Sequence, residues 1–276
     1  MLKKLFVHEW KACWRLMAAV NGIVLAITLI GMILFSNDFW SMIESDAYPS
    51  TIAGVGMLLY FMLYMISVGA LSFVVSLYFY VRFYSNLYTD QGYLMHTLPV
   101  TPGQLIWSKA FVGVLWHFIS CIVLVFSVAA FMFSMIAGID GVTVSDIWRS
   151  IEIDMEEFGL TGVLAVLLII LLIVASCFVT IFFGYTAVSI GQLFKKQKIL
   201  GAIGAYVVIY LVIQFVSSVA TIPLMEWFEK MDQLANGPSD WMVIGILFGI
   251  LIVVCLVAAG LYFLNEHIMK YKLNLE

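Results

Sequence analysis

Leu160-Thr-Gly-Val-Leu-Ala-Val-Leu-Leu-Ile-Ile-Leu-Leu-Ile-Val-Ala-Ser176 decides the fold. The run carries no charge and no alternation of polar with apolar residues. A transmembrane β-strand is an alternating segment of about 10 residues. A membrane-spanning helix needs roughly 20 mostly apolar residues to cross ~30 Å of hydrocarbon. The run fits the helix. Five more such runs flank it, so the predicted spans are Met17–Phe35, Ile52–Val81, Leu105–Ala137, Leu160–Gln192, Ile199–Ile222 and Trp241–Leu264. The second, third and fourth exceed what a bilayer needs, so they tilt or project into water.

The whole chain agrees with that stretch. Of 276 residues, 64% are hydrophobic and 11% charged, and mean hydropathy is +1.08. A soluble domain is near half apolar and about a quarter charged, so a soluble enzyme is excluded. Aromatics at 15% and only 5 prolines exclude disorder. The charges are 13 basic and 17 acidic, a net of -4, without the clustered basic surface that nucleic acid requires. No repeat or linker divides the chain, which reads as one transmembrane domain over residues 1–276. The start is not a cleavable signal peptide, since its first span is long and Ser36-Asn37-Asp38 is no cleavage site.

Charge placement predicts topology. Lys3, Lys4, Lys11, Arg15, Arg82, Lys109, Lys195, Lys196, Lys198, Lys270 and Lys272 fall on one side. Arg149 and Lys230 fall on the other. The positive-inside rule then puts both termini in the cytoplasm. The outer loops are acidic, with Asp38, Glu44 and Asp46 in one and Asp146, Glu152, Asp154, Glu156 and Glu157 in another. Trp10, Trp14 and Trp107 mark the inner boundary and Trp40, Trp148, Trp227 and Trp241 the outer one, as an interfacial belt. No outer loop carries a cysteine, so no external disulfide is expected.

Catalytic and energy-coupling motifs are missing. There is no HExxH, no Cys/His cluster with metal spacing and no Walker A loop. No catalytic residue and no metal ligand is expected. The hydrocarbon part of the predicted spans contains no Asp, Glu, Lys or Arg, the groups on which ion-coupled carriers depend. A transporter of this kind takes its energy from another chain. His117, roughly 12 Å deep, is the one titratable side chain in the hydrocarbon part of a predicted span other than tyrosine or cysteine. It is either a substrate or proton contact or a neutral histidine bonded to a neighbouring helix.

Two segments flank the spans. Residues 1–16 place Leu2, Leu5, Phe6, Trp10, Cys13 and Trp14 at helical spacing against Lys3, Lys4, Lys11 and Arg15. This predicts an amphipathic helix in the inner interface, as an anchor or as a partner contact. The loop after the second span runs Tyr84-Ser-Asn-Leu-Tyr-Thr-Asp-Gln-Gly-Tyr-Leu-Met-His-Thr-Leu-Pro-Val-Thr-Pro-Gly-Gln-Leu-Ile-Trp-Ser-Lys109. A short helix is expected at its start, broken at Asp90-Gln91-Gly92 and stopped by Pro99 and Pro102. Thr101 is the expected N-cap of the next helix, with Pro102 at its first position.

The pattern Asp90-x-Gly92-Tyr93-Leu94-x-x-Thr97-Leu98-Pro99-Val100-Thr101, followed by Ser108-Lys109, resembles the first cytoplasmic loop of bacterial ABC exporter permeases. It is similar in particular to the type-2, G-subfamily-like permeases of Gram-positive bacteria. Leu5-Phe-x-His-Glu-Trp-Lys11 with Trp14-Arg15 resembles their N-terminal elbow. The resemblance implies an all-α integral membrane protein of six transmembrane helices, with an amphipathic elbow helix and a cytoplasmic coupling helix, in the bacterial plasma membrane. It implies that residues 84–104 couple to a separate ABC ATPase through Tyr88, Asp90, Gly92, Tyr93, Leu98 and Pro99. Phe6, Glu9, Trp10 and Trp14 would carry the elbow. A second permease chain, identical or not, completes the unit. ATP and Mg are expected on the ATPase and no cofactor on this chain.

Three further features bear on function. Tyr60, Tyr64 and Ser67 in the second span share a polar face, as do Tyr206, Tyr210, Gln214, Ser217, Ser218 and Thr221 in the fifth. In the resembled family these spans line the route between two permeases, so the stripes are either a substrate pathway or interhelical packing. Gly245-x-x-x-Gly249 permits close helix approach. The outer loop 138–159 is expected to form an acidic surface helix capped by Ser145, open to a cationic substrate such as a host-defence peptide or lantibiotic. Antimicrobial-peptide resistance would follow. The competing readings are a stand-alone channel or carrier and a non-transport immunity or scaffold protein.

Overall fold

In the computed structural model the described residues are 2–37, 51–89, 92, 100–137, 145, 149, 159–194, 196–232 and 240–271. They form six long helices: α1 Leu2–Asn37, α2 Thr51–Tyr88, α3 Pro102–Ala137, α4 Gly159–Gly191, α5 Lys198–Asp232 and α6 Asp240–Tyr271. All six contain a stretch long and apolar enough to cross a membrane, and no strand occurs among the described residues. The chain is an all-helical protein of multi-pass membrane character.

All the helices but α4 are longer than the apolar runs that predict them. α1 absorbs residues 2–16, so the expected separate elbow is the start of one unbroken helix. Arg15-Leu-Met-Ala-Ala19 are good helix formers, and no glycine or proline precedes Gly22, so nothing stops the chain at the charge boundary. α2 continues past Val81 through Tyr88 because Phe83 and Leu87 find burial there. α3 begins where the cap is expected. Thr101 lies just outside the helix, Gln104 N–H donates to its Oγ1 at 3.4 Å, and Thr101 N–H donates to Gln104 Oε1 at 3.3 Å. This is the reciprocal capping box, with glutamine at the third helical position.

Two compact units divide the chain. One comprises His8–Val75 and Leu115–Glu157, the other Met1–Val7, Ser76–Val114 and Phe158–Glu276. In the first, the buried face of α1 is Cys13, Met17, Asn21, Val24 and Thr28, at the three- and four-residue spacing of a helix stripe. Tyr64 of α2 stacks on Phe131 of α3 at 4.4 Å, and both are 2% exposed. A Cβ on Gly31 would stand 2.8 Å from the Phe131 ring, so glycine lets α1 approach that pair.

In the second unit the centre is α4, buried continuously from Ile181 to Ala187. Phe83 and Tyr185 stack at 3.8 Å and 9°. Trp107, Phe111, Phe178, Phe182 and Tyr262 form an aromatic cluster joining α3, α4 and α6. Offset and edge contacts of this kind add about 0.5–1.5 kcal/mol per pair beyond area burial. Trp107, expected in the interfacial belt, is therefore a packing residue.

Candidate functional site

The candidate site lies in the second unit, where the chain leaves α2 and re-enters at α3. Tyr88 is the last residue of α2, and its ring packs edge-on to Phe83 at 5.9 Å. Its hydroxyl lies 2.7 Å from Ser189 Oγ of α4. Ser189 donates to Asn265 Oδ1 of α6 at 2.6 Å. A serine has one hydroxyl proton. With that proton on Asn265, Tyr88 is the donor to Ser189. The direction of the chain is thus fixed: Tyr88 to Ser189 to Asn265. Such serial hydrogen bonds strengthen one another in a low-dielectric interior. One turn along, Thr186 Oγ1 donates to the Leu261 carbonyl at 3.0 Å. Thr186, Ser189 and Asn265 are fully buried. The ends of α2, α4 and α6 are therefore fastened to one another.

The start of α3 is fastened to α6 as well. Gly103 is buried, and a Cβ there would stand 2.9 Å from the Tyr262 hydroxyl and 3.1 Å from a Glu266 carboxylate oxygen. The Tyr262 hydroxyl is hydrogen-bonded to Glu266 and accepts from Trp107. A carboxylate beside the first turn of a helix is favoured by the exposed N–H groups there.

The residues expected to couple to an ATPase are placed as follows. Tyr88 sits in the polar chain. Gly92 is buried, and its N–H donates to the Thr89 carbonyl at 2.7 Å. A Cβ on Gly92 would meet the Leu87 carbonyl oxygen at 2.4 Å, so this turn-back against the end of α2 admits only glycine. Asp90, Tyr93, Leu98 and Pro99 lie outside the described residues.

The elbow residues lie along α1. Glu9 is buried, Phe6 is half-buried, and Trp14 is exposed with the Arg15 guanidinium 5.8 Å over its ring. Trp10 stacks on Trp116 at 5.0 Å and 19°, so it is not simply a belt residue.

The two polar stripes differ. Tyr64 is buried and its hydroxyl lies 3.0 Å from Ser127, Tyr60 donates to the Ile27 carbonyl, and Ser67 donates to the Tyr64 carbonyl at 2.7 Å. The second-span stripe thus faces helix packing. Tyr206 packs edge-on to Phe183 at 4.6 Å. Tyr210, Gln214, Ser217 and Ser218 are exposed, and both serines donate to the Gln214 backbone carbonyl. The Thr221 side chain lies outside the described residues. Gly245 and Gly249 have open space around them. His117 is half-buried and engaged. Of the acidic outer loop only Ser145 and Arg149 are described, both helical.

Sequence reading missed Ser189, Asn265, Thr186 and Glu266. Each sits at the end of an apolar run, where polar residues pass as interfacial. The partners of Ser189 stand 101 and 76 residues away, and that of Thr186 stands 75 away. Among the described residues no group of three His, Cys, Asp or Glu could hold a metal ion. Comparison with protein-family models, with curated proteins and with solved structures returns no match to this chain.

Proposed function

We propose that the chain is the membrane-spanning subunit of an ATP-driven exporter, paired with a second permease chain and driven by a separate ATPase that binds ATP and Mg. The chain itself is not an enzyme. The observation that carries this reading is the Tyr88–Ser189–Asn265 chain at the end of α2, where the 89–101 segment begins. A protein that docks on that segment pushes on α2, and the hydroxyl chain hands the displacement to α4 and α6. A stand-alone carrier has no use for such a fastening at the end of α2. The absence of Asp, Glu, Lys and Arg from the predicted hydrocarbon stretches supports an external energy source.

The exposed amide of Gln214 supports the second permease chain. A primary amide facing lipid is costly, and it is relieved against another helix or a wetted route. In this arrangement the termini and the 89–101 segment are cytoplasmic, and α5 faces the partner permease.

Co-purification with the ATPase encoded beside it, followed by reconstitution with a substrate panel, tests the reading. The expected result is a stable complex whose ATPase activity rises with one class of substrate. No complex and no stimulation would return the chain to the carrier or scaffold readings.

A further inference from the structure

The first turns of α1 have two faces. Glu9, Cys13 and Met17 are buried, and Trp10 stacks on Trp116 of α3 at 5.0 Å. His8, Lys11 and Arg15, at three- and four-residue spacing, form the opposite face, and all three are exposed. Trp14 stands beside them, 46% exposed, with the Arg15 guanidinium 5.8 Å over its ring. Lys3 and Lys4, also exposed, precede them in the chain. The one acid in residues 2–37 is Glu9, which is on the buried face. The exposed face is therefore cationic, with no carboxylate to neutralise it.

An amphipathic helix lying on a membrane turns its apolar side into the lipid and its charges to water. α1 does not do this, because its apolar side is packed within the protein. What it offers outward is charge. α1 is also unbroken, so the row runs straight into the membrane-crossing part of the helix. Gly22, Ala26, Leu29 and Ile33 continue the same face at helical spacing, and all are exposed. An exposed apolar strip of this kind faces lipid tails. The cationic row is the headgroup-level end of that strip, which favours lipid over an acidic protein as its occupant. A bilayer of about 40–45 Å with a core of ~30 Å has headgroup layers of about 5–7 Å. From Arg15 to His8 the helix rises about 10 Å, enough to cross such a layer.

We propose that the His8–Lys11–Arg15 face of α1 binds the phosphate groups of anionic phospholipid. Arginine presents a planar fork of donors that matches phosphate oxygens, and Trp14 holds Arg15 at the boundary where indole rings settle. Lys11 adds a point charge one turn further from the tails, and His8 a ring N–H donor two turns further. A basic cluster just outside a transmembrane helix draws anionic lipid. Here the cluster is a fixed row on a packed helix. The site holds whether or not the chain is an exporter.

Native mass spectrometry of the full chain tests it, with the protein released from detergent micelles doped with equal phosphatidylglycerol and phosphatidylcholine of matched acyl chains. The native chain is expected to retain phosphatidylglycerol over phosphatidylcholine by about fivefold or more. Lys11→Gln combined with Arg15→Gln is expected to bring the ratio below about twofold, with far-UV helix content unchanged. The matched control is Lys196→Gln with Lys198→Gln, which removes two exposed lysines elsewhere and is expected to keep the preference. A native chain without preference overturns the proposal and leaves the face to an acidic protein. An α1 variant that keeps the full preference overturns it too. So does a control that loses as much as the α1 variant, since the preference then belongs to net charge and not to this row.

Discussion

The Ser189 hydroxyl donates to Asn265 at 2.6 Å and, at the same oxygen, receives the Tyr88 hydroxyl at 2.7 Å. Ser189 is thus the middle link. Ser189→Ala leaves both Tyr88 and Asn265 without their partner, whereas Tyr88→Phe removes one donor at the end. A buried polar group left unsatisfied costs about 1–3 kcal/mol. Ser189→Ala is therefore expected to destabilise more than Tyr88→Phe, with the pair non-additive in a double-mutant cycle. Thermal unfolding in detergent measures this. Equal, additive effects would dissolve the chain into separate contacts.

Gly184 faces the ring of Tyr80, where a Cβ would stand 2.0–2.2 Å from three ring carbons. The ring cannot swing aside freely, because its hydroxyl donates to the Thr180 carbonyl at 2.7 Å. Gly184→Ala is expected to cost about 1–3 kcal/mol by overpacking. Combining it with Tyr80→Leu should recover part of that loss. The Tm values of the two singles and the double check it, and a Gly184→Ala protein as stable as the native one would count against the close approach.

Gly92→Ala forces the turn off the Leu87 carbonyl while leaving the six helices intact. Under the exporter reading, substrate-stimulated ATPase activity should fall tenfold or more with far-UV helix content unchanged. Retention of full stimulation would remove this turn from the coupling element.

Thr101→Ala takes away the N-cap of α3 and should cost about 1 kcal/mol. Thr101→Ser should keep most of the stability. Amide exchange at residues 103–105 would speed up in the alanine variant and not in the serine variant. Identical exchange in both would mean that Gln104 alone holds the cap.

Gln214 is exposed on α5. With a wetted route or a partner permease beside it, Gln214→Cys in native membranes should react with a water-soluble thiol reagent in at least one nucleotide state. Protection in every state would place this face against lipid.

The six helices were legible because continuous apolar runs of this length have few other solutions. Their ends were less legible. Lys11 and Arg15 mark where charge begins, but charge alone does not end a helix, and α1 runs straight through them. A short helix is expected from Tyr84, yet it is no separate element: Phe83 and Leu87 are buried, and packing carries α2 onward to Tyr88. The Thr101-Pro102 cap could be read because its chemistry is local. Tyr88 was singled out by its motif, but Ser189 and Asn265 were not. A hydrogen bond between distant helices leaves no periodicity in either one. Ser127 and Ser134 of α3 pass as ordinary small residues in the sequence, and only Thr28 and Met32 of α1 give them a role.

Along the α1–α3 seam Thr28 Oγ1 lies 2.5 Å from Ser127 Oγ, and Ser134 donates to the Met32 backbone carbonyl. Neither fastening uses a charged group, and dipoles at hydrogen-bond distance are not screened by salt as separated charges are. The cohesion of this seam is accordingly indifferent to acidity and ionic strength. A cell that swings between acid and neutral growth, or between dilute and salty surroundings, leaves this pair of helices equally joined throughout.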